Sequence, residues 1–241
     1  RGLGDVYKRQ YWYNKARELQ GDSQVFTAEM VQKMKDGVDG WGNTNWYDKI
    51  YGTGTRTHHN ISATGGSDRV RFFASIGYLD EKGNIDNYGY NRLNLRSNID
   101  AKLTKSLTFT LGVSGRIEKR DSPRYSANPD DWHNVPQQVI RALPYVPATY
   151  EYEGKTYNVS TPTASSPVAP VASINESGYS KSNYSYIQSN FSLKYDAPWL
   201  KGLSFKFQGA YDLTYNFSKI LSNPYEVMIM NLPTIESTSL T

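Results

Sequence analysis

Strict two-residue alternation of apolar and polar side chains, held over segments of ten to fifteen residues, constrains this chain more than any other feature. In residues 90–103, Leu93, Leu95, Ile99, Ala101 and Leu103 share one parity, while Arg92, Asn94, Arg96, Asn98, Asp100 and Lys102 share the other. The same separation recurs in residues 57–66, 69–79, 106–119, 184–197 and 203–217. A helix would scatter both sets around its axis, whereas a strand gives each set its own face. The pattern predicts six β-strands.

Such strands suit either a soluble sheet with one wet face or a barrel in lipid. Three features favour the barrel. Several segments exceed the roughly 9 to 11 residues that cross a bilayer at a tilt. Aromatic residues gather towards segment ends, at Tyr78, Tyr90, Tyr184, Tyr186, Tyr195, Trp199 and Tyr215, as interfacial girdles would. Connections alternate between short (66–68, 104–106, 198–202) and long (80–89 and 120–183), the layout of turns on one rim and loops on the other. The expected fold is all-β: an antiparallel up-and-down meander, part of a large transmembrane β-barrel, with one short helix near the N-terminus. A competing class is a secreted carbohydrate-binding or carbohydrate-cleaving β-sandwich, which would pack the apolar faces of two sheets together.

Composition narrows the rest. Mean hydropathy is −0.65 and no apolar run approaches the roughly 20 residues of a spanning helix. The 27 Lys and Arg are scattered and give a net charge of +4 without a sustained basic run, so no nucleic-acid partner is expected. Cysteine is absent, which removes disulfides and thiolate chemistry. Residues 1–10 have no apolar core after their basic residues and are set aside as a non-native leader. Thr27 and Gly37 bracket a short helix over 27–37 inside a loop-like segment, 11–56. Residues 57–217 hold the six strands and the long loop, 161–170 reads as an extended Pro- and Ser-rich connector, and 218–241 begins a further loop.

Several motifs at ordered spacing carry a resemblance. Asn45-Trp-Tyr-Asp48, the run from His59 to Gly66 (HNISATGG), that from Arg71 to Gly83 (RFFASIGYLDEKG), that from Tyr90 to Asp100 (YNRLNLRSNID) and that from Tyr195 to Leu203 (YDAPWLKGL) together resemble the SusC/RagA family of TonB-linked outer-membrane proteins. The resemblance implies a 22-stranded barrel with an N-terminal plug, a SusD-like surface lipoprotein partner, and import of oligosaccharide or peptide substrate driven through TonB. Six strands cannot close a barrel of that size, so the chain is expected to be a portion of its wall, set in membrane lipid.

A polar oligomer crossing such a barrel needs donors and acceptors that replace water. The lumen-facing candidates are Arg92, Asn94, Arg96, Asn98, Gln188, Asn190 and Lys194, which stand either for substrate contacts or for pairing with one another or with the plug; Leu95, Leu111, Phe191 and Phe207 are the lipid-facing ones. In the long loop, Trp132, Tyr145, Tyr150, Tyr152 and Tyr157 stand either for ligand or partner contacts or for packing within the loop. No enzyme activity, cofactor or metal is expected. His58 and His59 fall on opposite faces of a strand, His133 has no defined ligand partner, and GxSxG, P-loop and HExxH motifs are missing.

Overall fold

The computed structural model describes residues 6–124, 134–161 and 168–229. Helices α1 (Val6–Leu19), α2 (Ala28–Asp36) and α3 (Trp46–Ile50) precede strands β1 (Thr55–Gly66), β2 (Val70–Lys82), β3 (Gly89–Lys102) and β4 (Leu107–Pro123). Next come α4 (Val135–Arg141), β5 (Thr149–Tyr152), β6 (Lys155–Ser160) and α5 (Pro170–Asn175), then β7 (Gly178–Asp196), β8 (Ser204–Ser222) and β9 (Met228–Ile229). Two compact units result. Among the described residues, one holds 53–122 and 180–220; the other holds 6–52, 123–124, 134–161, 168–179 and 221–229.

The first unit is a sheet ordered β1-β2-β3-β4-β7-β8, with no crossover. The β1–β2, β2–β3 and β3–β4 ladders are antiparallel. The sheet is not closed: β1 and β8 are its two edges. Its apolar side chains stay uncovered, with Leu95 46% exposed, Phe191 41% and Phe207 64%. A sandwich would have buried them. The connection read as long over 80–89 is shorter than expected, because pairing continues to Lys82 and Gly89. Arg56 and Glu81 form an ion pair there at 3.1 Å, Asn91 donates to Asp80, and the turn closes with the Gly83 amide on the Tyr88 carbonyl at 2.8 Å.

The second unit was not foreseen. Residues read as loop, together with the expected short helix over 27–37, build a core of Phe26, Met34, Trp41, Leu143, Tyr145, Val146 and Val159. Helix α2 starts where Thr27 accepts the Met30 amide and stops at Gly37, whose left-handed φ of 63° ends the helical hydrogen bonding. Just beyond, Lys33 bridges to Glu29 and Asp39, whose hydrogen bonds hold its ammonium above the usual lysine range. Helix α1 begins at Val6, inside the stretch set aside as a leader, and buries Gln10.

One side chain of α1 fixes the segment that follows. Asn14 Oδ1 accepts the amides of Val25 and Phe26 at 3.1 Å each, and its Nδ2 donates to the Phe26 carbonyl at 2.5 Å. Phe26 can enter the core only because its backbone is satisfied there. Asn14→Ala strands two amides and a carbonyl, and is expected to cost the unit about 1–3 kcal/mol. Asn14→Asp keeps the acceptor and should fall in between; shifts in denaturation midpoint test both.

Candidate functional site

Directly paired residues of an antiparallel ladder share a face. On β3 and β4 the rows are Tyr90–Arg120, Arg92–Glu118, Asn94–Arg116, Arg96–Ser114 and Asn98–Gly112. Every member of this face except Gly112 is polar or aromatic. Its floor is grooved by two adjoining hollows of about 380 and 330 Å³. Arg96, Asn98, Gln188, Asn190 and Asp212 line the first, while Asn94, Arg116 and Tyr186 line the second. Four of the seven polar candidates therefore meet around the first hollow, Asn94 joins Arg96 and Gln188 at the second, and Arg92 lies in the next row. Lys194 lies further along β7 and bonds to Asp196 at 2.9 Å.

Gly112 shapes the groove by what it lacks. A Cβ at that position would collide with the Asn190 carboxamide and come within 3.3 Å of Asn98 Oδ1. Without it, two amides lean together over β4. They supply both donors and acceptors at one spot, as a polar oligomer needs.

Nearer the β4–β7 connection the face becomes cationic. Glu118, its side chain only 5% exposed, accepts from Arg116 Nε at 3.0 Å and from Arg120 at 3.1 Å. Aromatic rings set the planes of both guanidinium groups. Arg116 lies 4.3 Å from the Tyr186 ring centre, and Arg120 lies 5.6 Å from that of Tyr90 and 5.1 Å from that of Tyr184. A buried carboxylate between two cations is stable because both of its oxygens are taken. The arginines themselves remain 45% and 60% exposed and can still donate outward.

This cluster corrects the sequence reading at three positions. Tyr90, Tyr184 and Tyr186 are not girdle residues, because they sit with the arginines on the polar face. Parity alone would have revealed it: Tyr90 is in phase with Arg92, and Tyr186 with Gln188. Tyr195 and Trp199 do lie together, with ring centres 5.8 Å apart.

The loop aromatics divide. Tyr145 is 2% exposed and contacts the rings of Phe26 and Trp41, so it packs the core instead of facing a ligand. Tyr150 packs partly against the same core, Tyr152 is 53% exposed, and Lys155 lies 4.6 Å from the ring centre of Tyr157. Trp132 lies outside the described residues. On the apolar face Phe191 and Phe207 touch, with ring centres 5.8 Å apart, and Leu111 pairs with Ile99. Among the described residues no group of three or more His, Asp or Glu side chains is placed to hold a metal.

No family model matches the chain. Among curated proteins, TonB-dependent receptor P3 of Formosa agariphila is 30% identical over 100 residues, covering 42% of this chain and 10% of that protein. TonB-dependent receptor SusC of Bacteroides thetaiotaomicron is 32% identical over 82 residues, covering 34% and 8%. The chain thus spans about a tenth of the length of these relatives. Among solved structures, the RagAB peptide importer in its open-open state aligns over 92% of this chain and 26% of that one, at TM-score 0.63 and 19% identity. The RagAB peptide transporter aligns over 88% and 26%, at TM-score 0.62 and 18% identity.

Proposed function

We propose that this chain, similar to TonB-dependent receptors and to the RagAB importer fold, is a SusC/RagA-like portion of such a receptor whose six long strands form part of the wall of a bacterial outer-membrane import barrel. The apolar face meets lipid through Leu95, Leu111, Phe191 and Phe207. The polar face lines the passage, with Arg92, Asn94, Arg96, Asn98, Gln188, Asn190 and Lys194 offering hydrogen bonds to an oligosaccharide or peptide in transit. In the whole protein, a barrel of the 22-stranded type, TonB supplies the energy and a SusD-like lipoprotein caps the outer mouth, and Tyr152 and Tyr157 offer contacts to a ligand or partner. The two-sidedness of one uncrossed sheet carries this reading: grooved and polar on one face, exposed and apolar on the other.

Adjacent residues test it. In the full-length protein reconstituted in lipid, Leu95→Cys should react with a membrane-soluble maleimide and resist a water-soluble one. Arg96→Cys should do the reverse. Equal reaction of both with the water-soluble reagent would remove the membrane assignment.

A further inference from the structure

The arginines of the polar face are regularly placed. Four successive rows of the β3–β4 ladder carry one arginine each, taken alternately from the two strands: Arg120, Arg92, Arg116, Arg96. Successive rows lie about 7 Å apart along the strand direction. The face therefore holds a staggered file of four cations. Glu118 is the one carboxylate in these rows, and both of its oxygens face inward to Arg116 and Arg120.

The file is also preorganised. Tyr186 fixes the plane of Arg116, and Tyr90 and Tyr184 flank Arg120, so little side-chain freedom is lost when a ligand arrives. Charge and fixed orientation both call for an anionic ligand. Spacing says which kind: alternate side chains of an extended peptide recur at the same interval of about 7 Å.

We propose that the arginine file is a binding track for an extended peptide bearing acidic side chains at alternate positions, an assignment that rests on the import reading above. Successive carboxylates step from one guanidinium fork to the next, while Glu118 holds the forks open. The amide pair at Asn98 and Asn190 lies one row beyond the end of the file, where the peptide backbone can continue to be hydrogen bonded.

The test uses the full-length protein in lipid nanodiscs and two fluorescent hexapeptides, one alternating glutamate with threonine and the other glutamine with threonine. The glutamate peptide should bind tighter by about tenfold or more, the scale of one charge-assisted bond. Added salt should shrink that advantage. Arg92→Gln combined with Arg116→Gln should erase the difference between the two peptides, lowering glutamate-peptide affinity by the larger factor. Equal affinity of the two peptides for the unaltered protein overturns the proposal, and so does an advantage that survives the double substitution. Binding of an oligogalacturonate where the glutamate peptide fails to bind overturns the peptide assignment in favour of an acidic sugar. Unheated gel mobility checks that the variant keeps its barrel; if it does not, the paired peptides and salt series on the unaltered protein decide. The maleimide contrast between Leu95→Cys and Arg96→Cys needs no peptide, so failure of the track and failure of the import reading remain distinguishable.

Discussion

On the proposed lipid-facing reading of Leu95, Leu95→Arg is expected to block insertion of the full-length protein into a membrane. Leu95 sits mid-strand on β3 between Ile76 of β2 and Gly115 of β4, and 46% of it is exposed. A guanidinium placed on the lipid face near the bilayer midplane costs about 2–4 kcal/mol, a large share of the margin that keeps most proteins folded. Asn94→Arg adds the same charge one residue away, on the face that already carries Arg116 opposite Asn94, and should leave insertion intact. The measurement is the fraction of full-length protein that migrates as a compact barrel when unheated. Equal loss for both substitutions would show that charge matters and face does not.

Gly42→Ala should unravel the packed unit while sparing the strands. The backbone of residues 42–46 lies directly against that of residues 143–147. The Gly42 amide bonds to the Tyr145 carbonyl at 2.8 Å, Thr44 bonds to Pro144 through its amide at 2.7 Å and to Val146 through its hydroxyl at 2.8 Å, and Trp46 Nε1 donates to Leu143 at 2.9 Å. A Cβ on residue 42 would lie on the Pro147 nitrogen and 2.7 Å from its Cα. Backbone cannot swing aside as a side chain can, so the two segments must part. We expect a cost of about 3 kcal/mol, the upper end of ordinary overpacking. Faster hydrogen exchange at residues 42–46 and 143–147, with β3 and β4 unchanged, is the signature. Unchanged exchange at Thr44 would show that the contact is not needed.

The strands were legible because a long half-exposed strand writes its period into the sequence with little interference. In residues 90–103 almost every position obeys parity, and the antiparallel meander follows from joining such segments in order. The packed unit carries no comparable signal. Its strands β5, β6 and β9 have four, six and two residues, too few for a period to show. Its core draws Phe26, Trp41 and Tyr145 from distant parts of the chain, and nothing local to Tyr145 marks it as buried. At the candidate site, the polar residues around the groove could be read from phase. The Arg116–Glu118–Arg120 cluster could not, because cross-strand register brings its tyrosines in from β3 and β7.

The packed unit is assembled from stretches that the sheet's strands separate, as the Thr44 contact with Val146 illustrates. Closing such a loop carries an entropy cost that no local contact repays beforehand. The β1–β2 and β2–β3 hairpins, joined by short turns, face a much smaller cost. The expected order of events during maturation follows: hairpins zip early from local turns, while the segments of α1, α2 and α3 gain their packing only when Tyr145 and Val146 arrive. During that interval Trp41 and Phe26 lack the partners that later bury them, so the stretch from Phe26 to Trp41 is the one longest in need of protection from aggregation.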